Sequence, residues 1–247
     1  VGATNGSGLG GGILNTGTGE ITMTGSTISA NTSEKNGAGI YNINVMSIST
    51  TTIAGNEAKN AGGGGIYSYD TAELVIRRST ISGNTAAEST VGGITGGGGG
   101  IYNLGSTQLE IENSTISGNT SVGNGGGIFT LGLAGSGINL SNVTINANTT
   151  DGDGGGLYID PSGNWNGNIK NSILAGNTGA NNNDCSGTLT SGGYNLVQDP
   201  NGCNGLDTTG DDADITNLDP SLGNLANNGG PTQTRSEERR VGKECTL

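Results

Sequence analysis

The stretch GGGGGIYNLGSTQLEIENSTISGNTS, residues 96–121, decides the fold of this chain because its pattern recurs in five related stretches. Three apolar positions mark the pattern, Ile101, Ile111 and Ile116, and an asparagine, Asn119, closes it. The related stretches cover residues 10–33, 37–58, 62–86, 125–150 and 154–178. Self-similarity at such a period predicts a solenoid in which each copy forms one turn.

Four columns of equivalent residues run through all six copies. The third column lies five residues after the second, and the asparagine lies three residues after the third. Disordered chains keep no such spacing. The columns are Ile13, Ile40, Ile66, Ile101, Ile128 and Leu157; Met23, Ile48, Ile76, Ile111, Leu140 and Ile169; Ile28, Ile53, Ile81, Ile116, Ile145 and Leu174; and Asn31, Asn56, Asn84, Asn119, Asn148 and Asn177.

The repeat fixes the architecture through simple geometry. Alternating segments such as Leu109-Glu110-Ile111 point every second side chain inward, and stacking the turns about 4.8 Å apart buries those side chains. Crossovers between parallel strands are right-handed in about 98% of cases. We predict an all-β chain, a right-handed, single-stranded parallel β-helix (a pectin-lyase-like solenoid). Its six turns occupy residues 1–179, and a closing segment of the solenoid occupies 180–234.

The Gly runs, the asparagine column and the residues inserted before the fourth copy are each explained by the structure of a solenoid. Gly runs suit corners because Gly adopts positive φ without a steric penalty. The asparagine column predicts a ladder, in which each inward amide bonds to the same residue one turn above and below. The spacing of 35 between Asn84 and Asn119 predicts a spacer loop over 86–100, AAESTVGGITGGGGG.

Composition excludes some function classes. The 247 residues include 51 Gly and no His, and the net charge is −12. An acidic chain is a poor ligand for nucleic acid, and no apolar run reaches the roughly 20 residues that span a bilayer. We expect a monomer. Because the chain begins at Val1 without a signal peptide, we also expect a fragment that lacks its natural N-terminus.

Candidate catalytic and metal-binding groups are sparse. Without His, Ser-His-Asp and Cys-His arrangements are impossible. Asp70, Asp151, Asp153 and Asp160 are the carboxylates considered for glycoside hydrolysis, and solvated charge on a corner or loop is their ordinary interpretation. Asp151 and Asp153 also offer oxygen ligands for Ca²⁺, as do the acidic residues of 207–214, although two carboxylates need further ligands. We predict no catalytic residue and no obligatory cofactor.

Two outward columns are regular enough to suggest binding surfaces. An aromatic residue follows the first apolar column in five copies and either stacks on sugar rings or packs at a corner. A Thr column precedes the third apolar column and suggests an ice-binding face or an ordinary β-branched strand surface. The aromatic residues are Tyr41, Tyr67, Tyr102, Phe129 and Tyr158, and the threonines are Thr27, Thr52, Thr80, Thr115 and Thr144.

Two cysteines bracket a Gly- and Asn-rich loop. Cys185 and Cys203 lie eighteen residues apart, without the spacing of a metal site. A disulfide across a loop of this size contributes roughly 3 kcal/mol in the chain-entropy model. We predict this disulfide, and with it an oxidising compartment.

The pairing of GG-[AG]-I with I-x-x-N resembles the repeat of polymorphic outer-membrane proteins of bacteria. The form GGGIYN…NSTISGNT, together with 171–203 and LDPSLGNLANNGGPTQT at 218–234, is similar to the bacterial choice-of-anchor β-helix proteins. This resemblance covers residues 1–234 and implies an exported, surface-associated protein. The last residues, RSEERRVGKEC at 235–245, resemble the translation of a sequencing adapter, which implies an artefactual, disordered tail over 235–247 on an environmental sequence.

The sequence therefore favours a non-catalytic, secreted or cell-surface (outer-membrane) β-solenoid. Such a module would be structural or adhesin-like, with surface glycans or proteins of host or neighbouring cells as partners. The alternatives are a polysaccharide lyase or glycoside hydrolase whose catalytic groups lie outside this fragment, and an ice-binding solenoid.

Overall fold

The computed structural model describes residues 8–70, 73–87, 89–91, 94–105, 108–132, 137–162 and 167–236. These residues form 29 short β-strands and no α-helix. Consequently no helix in the described part of the chain is long and apolar enough to cross a membrane. The predicted all-β class is confirmed.

Parallel strands of successive turns form four faces, which we call sheets I to IV. Sheet I holds β1 (Ile13–Asn15), β5 (Ile40–Asn42), β9 (Ile66–Asp70), β15 (Ile101–Gly105), β19 (Ile128–Gly132) and β23 (Leu157–Ile159). Sheet II holds β2 (Ile21–Thr24), β6 (Met46–Ser49), β10 (Leu74–Arg77), β16 (Gln108–Glu112), β20 (Gly137–Ser141) and β24 (Gly167–Lys170). Sheet III holds β3 (Thr27–Ser29), β7 (Thr52–Ala54), β11 (Thr80–Ser82), β17 (Thr115–Ser117), β21 (Thr144–Asn146), β25 (Ile173–Ala175), β27 (Leu196–Val197) and β29 (Ile215–Thr216). Sheet IV holds β4 (Thr32–Ser33), β8 (Glu57–Ala58), β12 (Thr85–Ala86), β18 (Thr120–Ser121) and β22 (Thr149–Thr150).

The strand register stacks the predicted apolar columns. Ile101 pairs with Ile66 on one side and with Ile128 on the other. In sheet III, Ile116 pairs with Ile81 and Ile145 in the same way. Because equivalent residues of each turn lie directly above one another, the predicted parallel β-helix is confirmed.

The stacked columns form one continuous hydrophobic core inside the solenoid. Ile48, Ile81 and Ile116 are almost completely buried, whereas Ile13 and Ile28 of the first turn are only partly buried. Truncating a buried Ile to Ala typically costs about 2–5 kcal/mol. Each inner turn therefore depends on a turn on both sides, as expected for a solenoid.

Three left-handed backbone positions bend each full turn. In the fourth turn they are Gly98, Asn113 and Gly118, with φ of 53°, 50° and 66°. The Gly runs meet a second requirement, because a Cβ on Gly99 would lie 2.5 Å from the carbonyl oxygens of both Gly126 and Thr120. At Gly118, by contrast, a Cβ would meet nothing within 4 Å.

The solenoid continues beyond the six turns recognised in the sequence. A seven-residue strand, β26 (Cys185–Ser191), bends from sheet I into sheet II, and β28 (Cys203–Asn204) pairs with it. With β27 these strands form a seventh turn, and β29 begins an eighth. The predicted disulfide joins Cys185 and Cys203, whose Cα atoms lie 5.3 Å apart, within the normal range for a bridge.

The inserted residues between the third and fourth turns form more than a loop. Within 86–100 the chain makes an antiparallel pair, β13 (Ser89–Val91) and β14 (Ile94–Gly96). The spacer prediction for this stretch was therefore incomplete. The end of this pair at Gly96 packs against the ring of Phe129.

The end of the described chain folds back along the outside of sheet III. We call residues 223–236 the C-terminal strap. The carbonyl of Gln233 accepts a hydrogen bond from the Thr80 hydroxyl, and Arg235 donates to the Ser117 hydroxyl at 3.0 Å. An antiparallel bridge between Ala226 and Thr234 turns the strap on itself. Of the predicted artefactual tail, residues 237–247 lie outside the described residues.

Candidate functional site

The asparagine column forms a hydrogen-bonded ladder along the solenoid axis. Each side-chain amide donates to the Oδ1 of the asparagine one turn further on, at 2.8–2.9 Å. The same Oδ1 atoms also accept the backbone N–H of the asparagine one turn earlier, at 3.0 Å. The five asparagines after Asn31 also donate to a carbonyl of the preceding turn. These bonds satisfy buried polar groups and leave little capacity for an external ligand.

A buried aspartate, Asp184, ends this ladder, and the sequence analysis did not identify it. Its Oδ1 accepts the amide of Asn177 at 2.8 Å, and its Oδ2 accepts the backbone N–H of Asp199 at 2.7 Å. Removal from water raises the pKa of the Asp184 carboxyl, against the opposing effect of these hydrogen bonds. The group is structural, because it joins the ladder to the loop closed by the disulfide.

A second ladder runs along the corner between sheets II and III. Its serine hydroxyls accept backbone N–H groups of the neighbouring turn, as Ser114 does from Ser79 at 3.1 Å. It also ends in a buried aspartate, because Asp214 Oδ1 accepts the amide of Asn195 at 2.9 Å. Asp214 Oδ2 accepts the N–H of Asp207, again from the closing segment. Two carboxylates thus perform the same structural task at the same end of the solenoid.

The aromatic column is a stack of five rings, and its centre is buried. Ring centroids of successive residues from Tyr41 to Tyr158 lie 4.6–5.4 Å apart. Tyr67, Tyr102 and Phe129 are at most 4% exposed, which contradicts the sugar-stacking surface proposed for them. The rings are buried because glycine backbone packs directly against them. A Cβ added to Gly62 or Gly96 would lie within 2.6 Å of a ring atom. Partial ring exposure remains only at Tyr41 and Tyr158, and burial raises the pKa of both hydroxyls.

The threonine face is interrupted by the C-terminal strap. Thr80 and Thr115 are buried, whereas Thr27 at the end of the column is exposed. An ice-binding face requires a flat, exposed ladder, and the covered centre removes that surface. The sequence could not indicate this, because the contact joins residues 153 apart in the chain.

The acidic candidates do not converge. Asp151 is exposed, Asp153 accepts a hydrogen bond from Asn181 at 3.0 Å, and Asp160 is buried where it caps the backbone of Ser162. Among the described residues, no three His, Cys, Asp or Glu side chains are grouped as metal ligands. Asp70 ends β9, and its side chain lies outside the described part of the chain. Calcium binding at Asp151 and Asp153 stays a prediction.

Two shallow depressions lie on the two sides of the corner between sheets II and III, near the closing segment. We call them together the corner trough. Its first half, about 310 Å³, is lined by 139–141, 168–170 and 190–192. Its second half, about 330 Å³, is lined by 171–173, 194–196, Ala213 and Ile215. Consecutive segments of the sixth and seventh turns line the two halves, so the halves lie on adjacent faces of the solenoid.

Small residues of the seventh turn create the trough. Beside Lys170 and Asn171 of the sixth turn, the seventh turn presents Gly192 and Gly193, and Asn171 N–H donates to the Gly193 carbonyl at 3.1 Å. The polar wall includes Asn168, whose amide donates to Asn139 at 2.6 Å. The lining is mostly carbon surface from aliphatic and backbone groups, with a few exposed amides and hydroxyls at its rim.

The ring of Tyr194 borders the second half of the trough. Tyr194 is 60% exposed and has φ of 60°, a backbone conformation that disfavours bulky side chains. The equivalent corner positions adopt positive φ in the other turns too: Thr50 and Arg78 in the second and third turns, and Asn113, Asn142 and Asn171 in the fourth to sixth. The sequence signal for this residue was the GGYN motif at 192–195, which breaks the repeat.

The fold defines a parallel β-helix of stacked single-chain turns. The chain matches the family described as "Right handed beta helix region" over residues 11–212, and it belongs to that family. The predicted right-handed parallel β-helix is thereby confirmed. No curated protein and no solved structure matches the chain.

Proposed function

We propose that this chain is a non-catalytic, secreted or cell-surface β-solenoid that acts as a structural, adhesin-like module and contacts glycans. One observation carries the proposal: the side chains of the regular polar columns already hydrogen-bond to neighbouring turns. The buried asparagines hydrogen-bond one another, and the carboxylates at the ladder ends hold the closing segment. What remains for a ligand is the outer surface, where amides and hydroxyls lie among charged side chains.

The Cys185–Cys203 bridge supports the proposed location. Disulfides persist mainly in oxidising compartments and at cell surfaces. Peptide mapping of the unreduced protein after export should recover the two cysteines as one linked pair. Recovery of both as free thiols would count against an exported protein.

A polysaccharide-cleavage screen tests the non-catalytic assignment. The full chain is incubated with neutral and acidic polysaccharides, with and without Ca²⁺, and reducing ends and unsaturated products are measured. We expect both signals to stay at the level of a buffer blank. Sustained turnover of any polymer would replace the proposal with its alternative, a polysaccharide lyase or glycoside hydrolase.

Glycan arrays and pull-downs with surface proteins separate the two proposed partner classes. Amides both donate and accept hydrogen bonds, which suits the hydroxyl groups of sugars. We therefore expect glycans to be bound. Retention of proteins alone, independent of their glycans, would make the module a protein-binding adhesin instead.

A further inference from the structure

We propose that the corner trough is a binding site for a short segment of a neutral polysaccharide, with the Tyr194 ring as its stacking platform. This inference rests on the proposed glycan contact and assigns it to a place in the fold. It moves that contact away from the aromatic column, where Tyr67, Tyr102 and Phe129 are buried.

The first argument is the backbone conformation of Tyr194. The corner imposes positive φ in every turn, and Tyr194 is the one aromatic residue that the described chain places in this conformation. The corner does not require an aromatic residue, because Thr50, Arg78 or an Asn occupies it at positive φ in the second to sixth turns, and the Tyr194 ring is mostly exposed. Since neither the corner nor the core requires this ring, its exposure beside the trough points to a role at the surface.

The second argument is the chemistry around the ring. Asn139 and Asn168 present amides on one side of the corner, and Asn171 lines the other side next to the ring. An aromatic face beside amides matches a sugar ring, which has apolar C–H faces and a rim of hydroxyls. Volumes of about 310 and 330 Å³ for the two halves are at the small end of ligand sites, so each suits a small group such as one sugar unit.

The third argument is charge. Lys170 is the one charged side chain that lines the described trough, and the Asp212 carboxylate lies near its edge at Gly193. The whole chain carries a net charge of −12, which repels an anionic polymer at long range. The ligand is therefore assigned as neutral rather than acidic.

The experiment is affinity gel electrophoresis of the full chain in soluble β-glucan, xylan and galactomannan, with polygalacturonate as the acidic probe. Three variants are compared with the natural chain. Tyr194→Asn installs the residue that the preceding turns use, Asn168→Ala removes an amide, and Tyr69→Ala removes another exposed tyrosine far from the trough.

We expect at least one neutral polymer to retard the natural chain, with little dependence on salt. Tyr194→Asn should bind that polymer about tenfold more weakly while its melting temperature is unchanged or raised. Asn168→Ala should weaken binding several-fold, and Tyr69→Ala should not change it. An unchanged or raised melting temperature shows that the variant is still folded, so that its weaker binding reports loss of the site.

Three results would overturn the site: no retardation by any neutral polymer, equal binding by Tyr194→Asn, or retardation by polygalacturonate alone. A reducing-end assay on the same samples tests the proposed function separately. Cleavage of a polymer would refute the non-catalytic assignment, whereas the Tyr194→Asn comparison would still decide whether the trough binds it.

Discussion

The inner turns and the closing segment bury polar side chains along the same axis, but they use different residues to do so. In the inner turns each asparagine accepts from one neighbour and donates to the other, as Asn119 does between Asn84 and Asn148. In the closing segment Asp184 and Asp214 only accept. At an inner position the side chain must donate a hydrogen bond to the next turn, so an amide is required. At the end of the ladder the side chain only accepts hydrogen bonds, so a carboxylate is sufficient.

Replacing an inner amide by a carboxylate should have the largest effect. In Asn119→Asp the new oxygen faces the Ile81 carbonyl and Asn148 Oδ1, both acceptors, inside a fully buried site. We expect a loss of about 3–5 kcal/mol in the free energy of unfolding, measured by urea titration at pH 7. The reciprocal variant Asp184→Asn should lose about 1 kcal/mol, because only the bond to the Asp199 N–H is disrupted. Equal losses would refute the distinction between inner and terminal positions.

Removing the disulfide should loosen the closing segment and spare the inner turns. We expect the double variant Cys185→Ala, Cys203→Ala to lose roughly 3 kcal/mol of stability in the chain-entropy model. Hydrogen exchange resolves where the loss occurs, because a solenoid opens locally. Protection should fall in peptides covering 185–216 and persist in 108–132. A uniform fall along the chain would mean that the closing segment and the inner turns unfold as one unit.

The two regions also differ in how far the sequence predicts them. The Ile and Asn columns are visible because every copy satisfies the same contacts with its neighbours. Asp184 breaks that rule, since it bonds to a residue only seven positions away instead of a full turn away. The buried aromatic rings and the covered Thr face depend on contacts of Gly96 and Gln233 that the columns of equivalent residues do not specify. Periodic sequence thus predicts periodic contacts, whereas the candidate site lies where the period fails.

Two glycines of one turn sharpen this point. Gly99→Ala places a Cβ 2.5 Å from two backbone carbonyl oxygens, and neither oxygen can move unless its whole turn moves with it. We expect a loss of about 2–3 kcal/mol or a failure to accumulate as folded protein. Gly118→Ala meets no atom within 4 Å and carries only the cost of positive φ, about 1 kcal/mol. Thermal unfolding of both variants measures the difference, and a larger loss at Gly118 would show that conformation, rather than close approach, sets the need for glycine.

The buried carboxylate of Asp184 should give the closing segment a small stability increase in acid. Burial raises its pKa above the ordinary value of 3.8, chiefly because the charged form is removed from water. The folded state then binds the proton more tightly than the unfolded state, so this group adds stability as the pH falls through the raised pKa towards 3.8. The other carboxylates titrate over the same range, and subtracting the Asp184→Asn variant removes their contribution. The stability of the natural chain relative to that variant should therefore rise between pH 7 and pH 4, measured by urea unfolding. A relative fall would mean that the hydrogen bonds from Asn177 and Asp199 outweigh burial, and that the ladder is held by a charged carboxylate throughout.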